Sequence, residues 1–231
     1  MRLQRHPEFH IKELTIGRER APLLVVDNFI DDARQLRESA AGKSFSASSR
    51  YYPGVRARAP LQYRQFFLQQ LQDLLIEHFQ LRAAKLAFSM CHYSLVTTPP
   101  EQLSPIQWVP HVDSTEPRGL ASILYLFDRP FGGTAFYRHR ATGYETIDTG
   151  RREPYLVQLQ RESAAENFPR SGYIDGDNPY FERIAAQDGV FNRVLIYRRN
   201  SLHSGSIASD FVPDADPRTG RLSINSFIDV I

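Results

Sequence analysis

The chain has 231 residues, of which 42% are hydrophobic and 12% aromatic, and its formal net charge is +2. This length and apolar content exclude a disordered chain and are enough for a folded core. The mild charge, without a dense Lys/Arg face, argues against nucleic acid as a partner. The single cysteine, Cys91, excludes an internal disulfide and predicts a reducing, cytoplasmic location. No signal-peptide pattern or membrane-spanning window is present, so we expect no membrane association.

The first third of the chain predicts one strand and two helices. Asp31 can cap the start of the first helix, and Gly42 ends it. Pro60 precedes a second helix whose leucines and phenylalanines recur on one face. The predicted elements are a strand at 22–30, a helix at 31–42, an irregular segment at 43–59 with a turn at 51–56, and a helix at about 60–80.

From residue 85 onward, short β-rich runs alternate with loops. Helices come first and many short strands follow, an order that favours a mainly β fold. We therefore predict a jelly roll, or double-stranded β-helix, with flanking N-terminal helices. The predicted strands are 85–96, 106–112, 119–127, 134–138, 143–147, 154–158, 192–198 and 221–230.

We expect these elements to form a single domain over residues 1–231. The N-terminal strand and supporting helices occupy 1–84, and the jelly-roll core occupies 85–231. The stretch at about 140–191 is longer than a minimal core needs, so it is interpreted as an insertion that covers or shapes the substrate side. Its run N-P-Y-F-E-R-I-A-A-Q-D-G at 178–189 predicts a short helix.

A pair of polar residues, His111 and Asp113, lies in the run W-V-P-H-V-D-S-T at 108–115. On a strand, residues two positions apart share a face, so both side chains can reach one metal ion. A polar strand face in solvent produces the same pattern, and the pair alone does not decide between them. His203 follows the strand-like run V-L-I-Y-R and adds an imidazole from another strand. Two histidines and one carboxylate are the ligands of non-haem Fe(II) oxygenases.

Two further motifs accompany these three residues. Arg221 and Ser223, in G-R-L-S-I-N-S-F, lie on one face of the last predicted strand. An arginine can hold a carboxylate with two hydrogen bonds, and a neighbouring hydroxyl can add another. The run F-G-G-T-A-F at 131–136 predicts a tight hairpin between strands.

With this order of motifs, the chain resembles the Fe(II)/2-oxoglutarate-dependent oxygenases. The resemblance is to their prolyl-hydroxylase-like branch, and within it to an uncharacterised bacterial group, and it covers most of the chain. It implies that the iron ligands are His111, Asp113 and His203. It also implies that the cosubstrate is bound by Arg221, Ser223, Tyr125 and Tyr93, the last of these facing the metal pocket.

The resemblance implies an enzyme that uses Fe(II), 2-oxoglutarate and O₂ to hydroxylate a small molecule, an amino acid or a peptide residue. Because Asp113 supplies a carboxylate ligand, hydroxylation is favoured over halogenation. The gap between His203 and Arg221 is longer than the family usually has, so Arg218 is a rival cosubstrate anchor. Three alternatives stay open: a non-catalytic metal-binding jelly roll, a metal-dependent hydrolase on the same scaffold, and an oxygenase that uses another cosubstrate. The sequence does not predict the substrate or the oligomeric state.

The remaining polar and aromatic residues give weaker indications. His92 is interpreted as a structural histidine, and His139 as a solvated loop residue. The Tyr51–Tyr52 pair, followed by Arg56 and Arg58, fits either a substrate lip or a packed loop with two exposed arginines. Together with Arg138, Arg140, Arg151 and Arg152, these two arginines hint at an anionic substrate group, but charged loops are ordinarily just solvated.

Overall fold

The computed structural model describes residues 1–47, 49–82 and 85–231. Ser48, in the segment predicted to be irregular, and the predicted boundary at residue 84 lie outside the described residues. The strands are β1 His10–Ile16, β2 Ala21–Asp27, β3 Gly54–Arg58, β4 Leu86–Val96, β5 Leu120–Tyr125, β6 Gly133–His139, β7 Phe181–Gln187, β8 Val194–Arg198, β9 His203–Ser206 and β10 Leu222–Val230. The helices are α1 Arg34–Ala41, α2 Leu61–His78 and α3 Thr149–Glu162. Among these described helices, none has the length and apolar character needed to cross a membrane.

The strands form two antiparallel sheets that face each other. The larger sheet has the order β1-β2-β8-β5-β10-β4-β3, and the smaller has the order β7-β6-β9. Phe136 from the smaller sheet packs edge-on against Tyr197 from the larger one, with ring centroids 5.1 Å apart. Helices α1 and α2 cover the outer face of the larger sheet. The predicted mainly β jelly roll with N-terminal helices is therefore confirmed.

Helix α2 forms because its apolar residues recur every three or four positions, which places them on one face. Tyr63, Phe67, Leu71 and Leu75 from this face are fully buried. The ring of Phe67 packs against that of Phe88 on β4, with centroids 5.3 Å apart. Burial of each such side chain contributes roughly 1.5–3 kcal/mol, so this layer holds the helix to the sheet.

The prediction of a strand at 106–112 was wrong. Residues Pro105–Gln107 form a short 3-10 turn instead, and only His111 bridges to the smaller sheet. The backbone N–H of His111 donates to the carbonyl oxygen of His203, and that of His203 donates back, both at 2.9 Å. One bridge is enough to fix the position of His111 because it joins the residue directly to the start of β9.

The prediction of a strand at 154–158 was also wrong, since these residues lie inside α3. Asp148 caps this helix, and its carboxylate accepts a hydrogen bond of 2.9 Å from the backbone N–H of Arg151. The run was misread because it is apolar, yet Leu156 and Val157 are exposed on the helix surface. Apolar residues at these positions therefore do not mark a buried strand.

The short helix predicted at 178–189 is instead strand β7, which pairs with β6. The side-chain oxygen of Asn178 accepts hydrogen bonds from the backbone N–H groups of Tyr180 and Phe181, at 2.9 and 2.8 Å. The asparagine thus forms a turn that starts a strand, whereas the sequence reading took it for a helix cap. The segment at 140–191 consequently contributes both α3 and one strand of the smaller sheet.

Three smaller predictions also need correction. The segment at 43–59, predicted to be irregular with a turn at 51–56, contains edge strand β3. The run at 143–147 contains a single bridge, from Thr146, in place of a strand. The glycines at 131–136 do not close a hairpin, because β5 and β6 belong to different sheets. Gly132 has φ +72°, and a Cβ there would lie 1.8 Å from the carbonyl oxygen of Ser206, which explains the glycine at this crossover.

Candidate metal and cosubstrate site

Three potential metal ligands meet at one end of the smaller sheet. The ligand atoms of His111, Asp113 and His203 all lie within 4.8 Å of one another. Nε2 of His203 is 3.5 Å from one oxygen of Asp113, and Nε2 of His111 is 3.9 Å from the other. The backbone N–H of Asp113 donates to the carbonyl oxygen of Arg199 at 2.9 Å, which holds the loop in place. The chain thus places the three residues together without the strand that the sequence predicted.

The hydrogen bonds and packing of His203 orient its imidazole toward the cluster. Nδ1 of His203 lies 2.9 Å from the carbonyl oxygen of Ser201. As the donor in this bond, Nδ1–H leaves Nε2 free to accept a metal ion. The ring also packs against Tyr197, with centroids 4.8 Å apart. This imidazole is therefore fixed before any ligand arrives.

His111 faces an open cavity, and its side chain keeps 44% of its surface exposed. Even so, the surrounding cavity walls desolvate the ring and, with the nearby His203, lower the pKa of His111 to about 4. The carboxylate of Asp113 acts in the opposite direction. At neutral pH the imidazole of His111 is therefore unprotonated, as a metal ligand must be. Two imidazoles and one carboxylate fit a divalent iron site with open positions.

Arg221 is buried, with 6% of its surface exposed. Its Nε and Nη2 atoms donate to the carbonyl oxygens of Phe131 and Gly133, at 2.9 and 2.8 Å. Among the described residues, no carboxylate oxygen lies within 4.0 Å of this guanidinium, which is the distance limit for an ion pair. A buried positive charge without a counter-ion is unfavourable unless a ligand supplies one. The surroundings of Arg221 therefore fit an anionic group.

Several hydroxyl groups surround the guanidinium of Arg221. The hydroxyl of Tyr125 is 2.7 Å from Oγ1 of Thr134, while that of Ser223 donates to Asn225 at 2.7 Å. The hydroxyl of Tyr52 is buried and has no hydrogen-bond partner among the described residues. Burial raises the pKa of Tyr52 to about 12, although Arg221 acts to lower it. These neutral hydroxyls can donate to a carboxylate held by the arginine.

Two of these neighbours could not be assigned from the sequence. The sequence fits Tyr52 to either a substrate lip or a packed loop and gives no signal for Tyr173. The hydroxyl of Tyr173 donates to the carbonyl oxygen of Thr98 at 2.7 Å, and Tyr173 lines the same cavity as Arg221. Each comes from a loop distant in sequence, and no spacing signal connects these loops to Arg221.

The sequence predictions for Tyr93 and His139 were wrong, and Arg218 is not placed to rival Arg221 as the cosubstrate anchor. Tyr93 does not face the metal pocket, because it is buried with the helix layer on the opposite face of the larger sheet. Arg218 is exposed and pairs with Glu38 at 3.0 Å, so it does not reach the cavity. His139 is fully buried and not solvated, and its Nε2 lies 2.7 Å from a carboxylate oxygen of Glu162.

A single cavity of about 530 Å³ connects the metal-ligand cluster with Arg221. This volume is within the usual range for pockets that bind small molecules. The residues considered above that line it are His111, Asp113, His203, Arg221, Ser223, Tyr125, Tyr52 and Tyr173. The cavity can therefore hold a metal ion and an anionic ligand side by side.

The sequence matches a protein family described as a family of unknown function, DUF6445, over residues 7–228. The chain belongs to this family. A search among curated proteins found no match for its sequence. Family membership thus covers nearly the whole chain and leaves its function to be argued from the site.

The fold is similar to that of solved Fe(II)/2-oxoglutarate-dependent oxygenases. HygX from Streptomyces hygroscopicus, solved with nickel and 2-oxoglutarate bound, has a TM-score of 0.57 at 10% identity, over 92% of this chain and 84% of that one. The α-ketoglutarate-dependent epimerase SnoN from nogalamycin biosynthesis has a TM-score of 0.50 at 13% identity, over 92% and 79%. At such identities the likeness concerns the fold, and for the fold it confirms the resemblance drawn from the sequence.

Proposed function

We propose that this protein is a non-haem Fe(II)/2-oxoglutarate-dependent oxygenase that hydroxylates a small molecule, an amino acid or a peptide residue. The observation that carries the proposal is the shared cavity. It contains a cluster of two histidines and one aspartate together with Arg221, a buried arginine without a counter-ion. A metal-dependent hydrolase would not require the buried Arg221, because water activation needs no anchor for a dicarboxylate.

In this proposal His111, Asp113 and His203 hold the iron. Three protein ligands leave positions open for the cosubstrate and O₂, and the bound iron with its cosubstrate supplies the oxidising chemistry. The contribution of the protein is to fix the ligands in advance. The carbonyl oxygen of Ser201 orients His203, and the carbonyl oxygen of Arg199 holds the backbone of Asp113. Because a carboxylate occupies the third ligand position, hydroxylation is favoured over halogenation.

Arg221 anchors the distal carboxylate of 2-oxoglutarate in this proposal. Its backbone partners Phe131 and Gly133 hold the guanidinium in place, so little side-chain freedom is lost on binding. The unpartnered hydroxyl of Tyr52 is available to donate to the same carboxylate, and so is that of Tyr125 when Thr134 donates in their mutual hydrogen bond. The hydroxyl of Ser223 can donate to it only in place of its hydrogen bond to Asn225. The carboxylate would satisfy both the buried charge and the orphaned hydroxyl, which are unfavourable in its absence.

The test is to measure succinate formation by the purified protein with Fe(II), O₂ and 2-oxoglutarate, beside Fe(II) affinity. Asp113→Ala removes the only carboxylate of the cluster and should lower metal affinity more than about 100-fold and abolish succinate formation. Asp128→Ala is the matched control, because Asp128 is an exposed aspartate that pairs with Arg37 on the surface. Absence of Fe(II) binding in the unaltered protein, or turnover that Asp113→Ala leaves unchanged, would contradict the proposal.

A further inference from the structure

A second arginine, Arg56, enters the same cavity from edge strand β3. The strand register places Arg56 opposite Ser94, Ser94 opposite Ser223, and Ser223 opposite Tyr125. Residues opposite each other in neighbouring strands project from the same face of a sheet. Arg56 therefore lies in one cross-strand row with residues of the cosubstrate region, at the edge of the sheet.

Like Arg221, Arg56 has no counter-ion in the part of the chain that the structure describes. Among the described residues it makes no ion pair, and its Nε atom is buried without a hydrogen-bond partner. Its guanidinium carbon lies 4.3 Å from the ring centroid of Tyr52, which is a cation–π contact and leaves the N–H groups of the guanidinium to donate elsewhere. Burial lowers the pKa of Arg56, while Tyr52 and Asp113 raise it. An anion at this edge would satisfy an otherwise orphaned donor.

The charges of the proposed complex show that 2-oxoglutarate cannot neutralise both arginines. One of its carboxylates is assigned to the iron and the other to Arg221. Fe(II), Asp113, doubly charged 2-oxoglutarate and Arg221 then sum to zero. The positive charge of Arg56 is left over, and one further carboxylate would balance it.

Part of the cavity lining is apolar. Tyr51 and Ile106 line the cavity and are exposed, and Met90 and Phe227 line it and are half-buried. Exposed apolar side chains around a pocket favour a ligand with an apolar body. Together with a single unpaired guanidinium, they describe a small molecule that carries a carboxylate on an apolar framework.

We propose that the organic substrate carries a carboxylate and that Arg56 binds it. This inference rests on the proposed function and adds the substrate class. Arg56 thereby determines specificity and is distinct from the cosubstrate anchor.

The experiment uses matched probes that differ only in charge. Hexanoate and 3-phenylpropanoate are each titrated beside their primary amides into protein loaded with Zn(II) and 2-oxoglutarate, and binding is followed by saturation-transfer NMR. A carboxylate should bind roughly 10-fold more tightly than its amide, because a charge-assisted pair with arginine exceeds a neutral hydrogen bond by that much. Arg56→Gln should remove the preference, and Arg56→Lys should keep part of it, since lysine keeps the charge without the planar fork.

Arg58→Gln is the matched control, because Arg58 lies two positions along the same strand and is exposed to solvent. This variant should keep the preference for carboxylates over amides. 2-Oxoglutarate binding is titrated separately in each variant and also shows that the variant is folded. The proposal is overturned if carboxylates and amides bind the unaltered protein equally, or if neither binds at millimolar concentration. It is also overturned if Arg56→Gln abolishes 2-oxoglutarate binding. If the unaltered protein binds no 2-oxoglutarate, the proposed function fails. The binding of carboxylates and amides is then compared on metal-free protein instead.

Discussion

The two faces of the larger sheet have different surroundings, although both contain apolar clusters. The outer face packs on α1 and α2 through apolar residues such as Leu124, Val194 and Ile224, all fully buried. The inner face lines the cavity with arginines, tyrosines and serines. Because successive residues of a strand point to opposite faces, neighbours in sequence belong to different environments. Tyr93 packs under the helices, while the next residue, Ser94, belongs to the cavity-side row of Arg56.

Both faces bury polar atoms without hydrogen-bond partners among the described residues, since the hydroxyls of Tyr63 and Tyr93 on the outer face have none. The faces differ in whether a ligand can reach such atoms. The outer face is closed by apolar packing, which is the main source of folding free energy. The inner face buries Nε of Arg56, the hydroxyl of Tyr52 and the hydroxyl of Ser94 without hydrogen-bond partners among the described residues. Such groups reduce stability unless a ligand satisfies them. Arg56 and Tyr52 line the cavity, where a ligand can reach them, whereas Tyr63 and Tyr93 lie under the helices.

The largest expected effect is on the outer face. Phe67→Ala removes a fully buried ring that packs against Phe29 and Phe88, with centroids 5.8 and 5.3 Å away. The cavity left behind should lower the free energy of unfolding by about 3–5 kcal/mol, measured by urea denaturation. The control, Leu61→Ala on the exposed side of the same helix, should change it by no more than about 0.5 kcal/mol. Equal changes in the free energy of unfolding for the two variants would contradict the close packing of α2 on the outer face.

On the inner face, the expected effect is stabilisation by the cosubstrate. At about 100 times its dissociation constant, 2-oxoglutarate should stabilise the Ni(II)-loaded protein by about 2.7 kcal/mol, seen as a rise in thermal midpoint. Arg221→Gln should abolish this rise, because it removes the proposed partner of the distal carboxylate. Arg218→Gln is the matched control, since Arg218 pairs with Glu38 outside the cavity. Loss of the rise in Arg218→Gln alone would make Arg218 the anchor.

The reactivity of the Cys91 thiol shows whether the outer face of the larger sheet stays covered by the helices. Burial raises the pKa of its thiol to about 11, against an ordinary value of 9.0, although the Ser226 hydroxyl, 3.3 Å from Sγ, acts to lower it. At pH 9 about half of the thiols in unfolded chains are thiolates, against about one in a hundred in the folded protein. Alkylation of the folded protein by iodoacetamide should therefore be at least about 50-fold slower than in urea, equivalent to about 2.3 kcal/mol. Similar rates would show that the helix layer opens readily.

Much of this architecture could be predicted because its signals are local. The one-sided apolar row of α2 and the β-rich runs of the second half are periodic patterns within single segments, and they predicted the jelly roll with its helices. His111, Asp113 and His203 were also expected to meet, and the structure brings them together. That prediction rested on residue types and on their order in the sequence. The wrong prediction of a strand at 106–112 therefore did not affect it.

The failures involve positions that tertiary structure decides. The buried state of His139 depends on Glu162, a residue of a helix that the sequence reading took for a strand. The approach of Tyr52 and Tyr173 to Arg221 depends on how two distant loops close over the cavity. The face on which Tyr93 lies depends on the register of β4 with β10, where Tyr93 stands opposite Ile224. A shift of one residue would reverse that face, and no local pattern determines it.

A pair of tyrosines on opposite faces gives the smallest and most selective test of the comparison. Tyr125→Phe deletes a hydroxyl that lies 2.7 Å from Thr134 and beside Arg221, and should weaken 2-oxoglutarate binding about 5- to 10-fold, the worth of one hydrogen bond. Tyr93→Phe makes the same chemical change on the helix side and should leave the affinity unaltered. Isothermal titration of the Ni(II)-loaded variants measures both. Weaker binding in Tyr93→Phe would mean that the side chain reaches the cavity, and that the register of β4 with β10 differs from the one described.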